Sequence, residues 1–572
     1  VNASEMDPAA LQEFLLSPDT VDFVLRSNVF LDRVLNENPN VVAAQMLAGR
    51  YVICYAKTAV FEQILNEFGS SFISSVPTVL GLLDRPSLEA SGITQAHQQP
   101  YLGLKGQGVL LGFLDTGIDY TQEVFRNSDG TSRIRYLYDQ TLTGPSPEGF
   151  YMGVEFSNAQ INEALRAQDP YSVVPQTDTA GHGTFLASVA AGSETATFIG
   201  AAPESELVVV KLRKARPFYL SMFTIPPEQQ AAYESTSVML GVDYIVRRAR
   251  DLNRPVVICL GVGTNFGSHD GFGIFEEYLE NISNLRGVCI CTAAGNESQA
   301  RHHTRGTLAE KGDTQSIDLN VGNNAGDITM QIWNTVADKI SLSIRSPTGE
   351  LMARVPAKPG LVTRTDLLLE QSAVQVEYFF PYEGTGGQLS VVKIYNATSG
   401  IWTITVHGDL ILNGSYHAWL PLTGFISPEV EFLSATPYYT VTSPSTMFGG
   451  ICIGGYNDTT NSLYSNSSWG PTRLERLAPD LVAPGVNIGG YSPSGYVRMS
   501  GTSIASAITA GACALMMEWG IVKGNDAALS TYQIRAYLIR GCTQSPTMSY
   551  PNTQWGYGTL DLIQTFNLMR EI

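Results

Sequence analysis

The chain has 572 residues, 44% hydrophobic and 15% charged, which is the composition of a folded protein with more than one domain. Its 35 basic and 53 acidic residues leave a net charge of −18, which argues against nucleic acid or an anionic membrane as partner. No apolar run reaches the ~18 residues that span a bilayer, and residues 1–7 show no basic region followed by an apolar stretch, so no secretory signal is expected.

Residues 1 to about 45 are expected to be helical and loosely packed, with 9–16 and 20–25 as short amphipathic pieces. Residues 50–55 predict a strand. Phe61, Ile64, Leu65 and Phe68 follow at helical spacing and stop at Gly69, and 71–83 returns to strand-like sequence. This predicts a small α+β unit. Residues 84–106, with Pro86, Gly92, Pro100, Gly103 and Gly106, predict a linker.

From Gly108 the texture changes. The runs 109–114, 207–212, 255–260 and 287–293 are continuously apolar, as strands buried on both faces must be. Helical stretches such as Val238, Val242, Ile245 and Val246 lie between them, which predicts a parallel sheet. From about 311 to 422, short alternating runs (317–321, 340–344, 402–406) separated by Gly, Asn and Pro turns predict an inserted all-β sandwich. The strand 451–454 and the apolar run 505–519, read as a buried helix, resume the α/β pattern. The seven cysteines are odd in number and irregularly spaced, which suits buried free thiols in a reducing compartment.

Asp115 directly follows the first buried strand, where ligands of an open parallel sheet bind. His182 stands in Gly181-His182-Gly183-Thr184 at a loop-to-helix start, and Ser503 in Ser500-Gly501-Thr502-Ser503 opens the apolar helix. A lone serine there reads best as a cap. With a histidine and an aspartate upstream it reads as a nucleophile, because a serine hydroxyl needs a base and the base needs a group to hold its tautomer. Ala293-Ala294-Gly295-Asn296 ends a strand and offers Asn296 as a donor to an oxyanion. Gly261, Val262 and Gly263 allow an extended peptide backbone to approach closely, with Gly295 beside them. Glu297 is read either as an acid favouring basic substrate side chains or as a solvated group. His302 and His303 are read as solvated, and no metal site or cofactor is predicted.

The order Asp115, His182, Ser503, with the flanks Asp-Thr-Gly, His-Gly-Thr and Gly-Thr-Ser, resembles the subtilisin-like serine proteases over about 98–308 and 440–565. The resemblance implies an α/β subtilisin-like parallel sheet flanked by helices, with an N-terminal α+β prodomain and linker (1–97). It also implies a catalytic domain in two parts (98–310 and 441–572) around a jelly-roll-like sandwich (311–440). Ser503 would be the nucleophile, His182 the base, Asp115 the orienting carboxylate and Asn296 the oxyanion donor. Ile504 and Ala507 stand where the family usually has Met and Pro. With the insertion, these departures make the chain similar to the Csp branch of clostridial germination proteases, which process the precursor of a spore-cortex lytic enzyme and keep their cleaved prodomain bound. The expected partners are therefore a protein or peptide substrate and the chain's own prodomain, cut somewhere between Glu89 and His97. The expected location is cytoplasmic or spore-associated. The rival expectations are a competent protease unrelated to germination and a pseudoprotease that only binds a partner.

Overall fold

The computed structural model describes residues 3, 6–69, 72–82 and 89–569. Among these, a nine-stranded sheet forms the centre. Its path runs Ser462–Leu463, Ile451–Asn457, Val288–Ala293, Val256–Leu260, Leu110–Asp115, Glu206–Lys211, Ile134–Asp139, Val154–Ser157, with Leu481–Pro484 paired to Ile451–Asn457. All pairs are parallel except Ser462–Leu463 with Ile451–Asn457 and Ile134–Asp139 with Val154–Ser157, which are antiparallel. Side chains alternate between two cores. Leu111, Phe113, Val257, Cys259, Cys289 and Cys291 face the helices His182–Ala191 and Thr502–Met517. Leu110, Leu114, Val256, Ile258, Leu260 and Ile290 face the helices Ser235–Asp251 and Ile274–Ser283. Burial on both faces is what the unbroken apolar runs require.

The apolar helix at Ser503 continues as a π-helical turn, Glu518–Val522. The stretch Thr502–Val522 is thereby 21 residues long and apolar enough to cross a membrane, contrary to the reading that no run is, but 89% of its apolar 18-residue window is buried inside the fold. All seven cysteines are free thiols, and six are buried.

The N-terminal unit departs from expectation. Residues Thr20–Arg26 and Val42–Leu47 are strands, not helical pieces, and both pair antiparallel with Tyr51–Lys57. For Thr20–Arg26 the reason is burial on two sides. Val21, Phe23 and Leu25 pack under the helix Thr58–Phe68, while Val24, Tyr51, Ile53 and Tyr55 pack on the domain of the nine-stranded sheet. A run buried on both faces loses the alternation that marks a strand.

The predicted linker also carries structure. Residues 83–88 lie outside the described ones, but Glu89–Ser91 is a 3₁₀ turn and Ile93–Gln98 a helix. Ile93 and Ala96 are buried against the main core with Leu562 and Phe566. Six residues are too few to show helical periodicity in the sequence.

The insertion is a two-sheet sandwich. One sheet has six strands, from His303–Thr307 at one edge to Val362–Leu367 at the other, and the second has five. Ile317, Leu342, Ile344, Trp402 and Ile404 fill the space between them. Its first strand begins at His303, ahead of the expected alternating runs.

Candidate active site

Asp115 is the last residue of its strand and is 1% exposed. One carboxylate oxygen accepts the Thr116 N–H at 2.7 Å, and Thr116 Oγ1 accepts the Gly183 N–H at 3.0 Å. Gly183 cannot be larger, since a Cβ there would lie 2.2 Å from the Gly117 carbonyl. This close approach seats the His182 helix against the strand end. His182 Nδ1 lies 2.7 and 2.8 Å from the two Asp115 oxygens and donates to them, which leaves Nε2 facing Ser503 Oγ at 3.4 Å. That last distance is the loose contact usual before substrate binds.

Asp178 was not singled out from the sequence. It caps the His182 helix by accepting the Gly181 and Thr184 N–H groups at 2.8 and 2.9 Å and the Thr184 hydroxyl at 2.6 Å. The available signal was an acid just ahead of a helix start.

Ser503 is in the first turn of Thr502–Met517, where unpaired N–H groups and the helix dipole favour negative charge. Thr502 ties the neighbouring loop to this turn. Its N–H and hydroxyl both donate to Asn296 Oδ1, at 3.2 and 3.1 Å, and its Oγ1 accepts the Gly295 N–H at 3.1 Å. With Oδ1 so engaged, the Asn296 amide nitrogen is turned to the other side. Gly295 has φ +109°, and a Cβ there would meet Thr442 at 2.7 Å. A Cβ on Gly261 would stand 3.3 Å from both His182 Cε1 and Ser503 Cβ, so this backbone borders the triad directly.

The strand Val262–Gly263 does pair with an extended segment, but not with residues 89–97, where the self-cut was expected. The partner is Val79–Leu82, with Leu82 opposite Val262 and Gly81 opposite Gly263. On its other side Val79–Leu82 pairs with Tyr233–Glu234. The N-terminal unit thus inserts its own last strand between the two walls of the cleft. The helix Ile93–Gln98 buries Ile93 and Ala96 elsewhere, and this excludes it from that groove.

Glu297 and the two histidines after it are not solvated. Glu297 is 2% exposed and pairs with His302 Nδ1 at 2.9 Å. Burial would raise its carboxyl, but hydrogen bonds from His302, Thr423 and Asn265 outweigh that and hold it below the usual carboxylate range. His303 is fully buried, with Nε2 3.1 Å from His417 Nδ1, and both rings pack on Trp419 and Tyr439. Sequence spacing hides these pairings because the insertion brings Thr423 and His417 back across more than a hundred residues.

The histidine pair has a pH consequence. Burial, then the charges of His417, His269 and Arg305, lower His303 well below its ordinary value, and burial with Arg473 and Arg305 brings His417 down to about 3. Both are neutral in the native protein and protonate near 6.5 when unfolded. Their contribution is therefore fully present above pH 6.5 and is lost as pH falls toward 3, at up to about 1.4 kcal/mol per pH unit for each ring. The melting temperature is expected to fall below pH 6.5, and His417→Gln to flatten that slope. An unchanged slope in the variant would rule the pair out as its source.

Among the described residues one group has metal-binding spacing. The sulfur atoms of Cys289, Cys291 and Cys513 lie within 4.8 Å of one another, all buried. No fourth His, Cys, Asp or Glu joins them; burial pushes the Cys289 and Cys291 thiols up, while at Cys513 burial is outweighed by hydrogen bonds from those two, which bring it down to about 5.

A parallel sheet that carries Asp115, His182 and Ser503 in this order at its carboxyl end is subtilisin-like. The Subtilase family profile matches residues 106–341 and 431–558, and the chain belongs to that family. The unmatched stretch between these ranges lies within the sandwich. The CspB protease of Clostridium perfringens, whose structure is solved, is 32% identical, with a TM-score of 0.74 over 84% of this chain and 98% of that one. The PII-type proteinase of Lactococcus lactis subsp. cremoris is 22% identical over 455 residues, and that of Lacticaseibacillus paracasei 22% over 462. Each alignment covers 72% of this chain, which spans 23% of the length of these curated relatives.

Proposed function

We propose that the protein is a serine endopeptidase that cuts its own chain and keeps the released N-terminal unit in its cleft. The observation that carries this reading is the His182 ring held between Asp115 and Ser503 at the edge of a groove filled by an extended segment of the same chain. Ser503 Oγ attacks the peptide carbonyl as His182 Nε2 takes its proton, and the imidazolium then protonates the departing amine. Asp115 fixes the ring and stabilises its charge. The Asn296 amide nitrogen and the Ser503 N–H receive the oxyanion, and they are worth most where water is excluded. Water then attacks the acyl group by the reverse route.

The register supports a position for the self-cut. Leu82 is opposite Val262, and Gly261, the next residue toward Ser503, borders the nucleophile. An antiparallel chain therefore reaches Ser503 just after Leu82. We place the cut there, at the Leu82–Leu83 or Leu83–Asp84 bond, instead of between Glu89 and His97. For the physiological substrate, the likeness to CspB supports a protein precursor such as a spore-cortex lytic zymogen.

A fluorophosphonate is expected to label Ser503, and mass spectrometry of the released fragment to find its carboxyl terminus at residue 82 or 83. Absence of labelling would favour the pseudoprotease reading. A terminus within 89–97 would refute the register argument.

A further inference from the structure

We infer that Glu297 is a positioning residue for the oxyanion loop, through which the inserted sandwich braces Asn296; the inference rests on the peptidase reading of this site. Glu297 follows Asn296 directly, and its buried carboxylate is shared among three parts of the protein. Oε2 accepts from Asn265 Nδ2 at 2.9 Å and from His302 Nδ1 at 2.9 Å, and Oε1 accepts the Thr423 N–H at 3.2 Å. Asn265 lies two residues beyond the peptide-pairing strand Val262–Gly263. His302 immediately precedes the first sandwich strand, His303–Thr307, and Thr423 follows the strand Ser415–Trp419 that pairs with it. The Leu420 N–H donates to the His302 carbonyl at 2.9 Å, which closes the chain entering the sandwich onto the chain leaving that strand.

The backbone of the same loop is held as firmly. The Glu297 N–H donates to Ser468 Oγ at 3.0 Å, and the Ser468 N–H donates to the Gly295 carbonyl at 2.8 Å. Asn296 therefore stands between two fastened residues, with its own Oδ1 tied to Thr502. An oxyanion donor works by being aimed before charge develops, and displacement of about 1 Å costs on the order of 10²-fold. Glu297 touches no reacting atom. Its carboxylate ties the loop carrying Asn296 to the groove strand and the sandwich, so the insertion contributes to the rate without contacting substrate.

The test is a double-mutant cycle on the full chain with a peptide substrate, measuring kcat, KM and melting temperature. Asn296→Ala is expected to lower kcat by about 10²–10³-fold with KM held. Glu297→Gln keeps the shape but replaces an oxygen that must accept by an amide that donates. It is expected to lower kcat by about 10–100-fold, with KM held. In the Asn296→Ala background the same change is expected to cost less than about 3-fold, because nothing remains to be positioned. Multiplicative losses would overturn the inference, as would a raised KM with kcat held, which would make Glu297 a substrate-binding residue. Full activity of Glu297→Gln beside a crippled Asn296→Ala would overturn this inference alone. An Asn296→Ala enzyme as fast as wild type would overturn the oxyanion reading as well.

Discussion

Ser503→Ala is expected to abolish peptide turnover, a loss of about 10⁴–10⁶-fold, without a change in fold. The side chain is fully buried in a helix's first turn, and alanine is accepted there at no cost in helix propensity. The hydroxyl's partner in the site is His182 Nε2 at 3.4 Å, so its removal leaves the cap contacts made by Thr502 and Asn296 intact. His182→Ala should give the same loss, and the double variant no more, because the members of a triad act as a unit. On a denaturing gel the wild type should show two bands and Ser503→Ala one full-length band. Two bands from the variant would mean that another protease makes the cut, and unchanged turnover would remove Ser503 from the mechanism.

The second large effect concerns retention of the N-terminal unit. Arg216 reaches out of the catalytic domain and donates to Asp22 Oδ1 at 2.6 Å and to the carbonyls of Thr20 and Leu15 at 2.6 and 3.0 Å. Arg213 adds a longer contact to Asp22, and Tyr219 and Thr236 donate to its carbonyl and carboxylate. Asp22 and Glu234 are fully buried. Burial opposes the Asp22 charge, but Arg216 and Arg213 outweigh it and hold Asp22 well below the carboxylate range, while burial and the Asp22 charge push Glu234 up to about 8. Arg216→Ala leaves the buried Asp22 charge to the longer Arg213 contact and the Thr236 hydroxyl and removes the donor to two carbonyls, a loss of about 3–5 kcal/mol. The cleaved fragment should then dissociate about 10²–10⁴-fold more readily. Size exclusion of the processed protein would show the fragment eluting separately, with peptide turnover rising as the cleft empties. Co-elution at unchanged affinity would exclude this cluster as the anchor.

Much of the α/β domain was legible because its signals are local. The runs 109–114 and 255–260 are apolar without interruption since both faces of the sheet are covered, and the flanks of Asp115, His182 and Ser503 are small residues that close backbone approach demands, as at Gly117 and Gly183. Asp115, His182 and Ser503, which the fold brings together, could therefore be picked out before any contact was known. The same burial on two faces misled the reading of residues 20–26, where a strand sandwiched between its own helix and the α/β domain shows no alternation.

By itself, then, the sequence determined the α/β sheet with its β insertion, and which serine, histidine and aspartate stand at that sheet's carboxyl end. Only the tertiary structure decided that Val79–Leu82 fills the groove, that Glu297 and His302 form a buried pair, that Cys513 joins Cys289 and Cys291, and that Arg216 clamps Asp22. The physical reason is common to all four. A strand run or a helix start is specified by neighbours within a few residues, whereas a buried charge or polar group is specified by the partner that compensates it. Here that partner comes from another structural element, and in most cases from far along the chain.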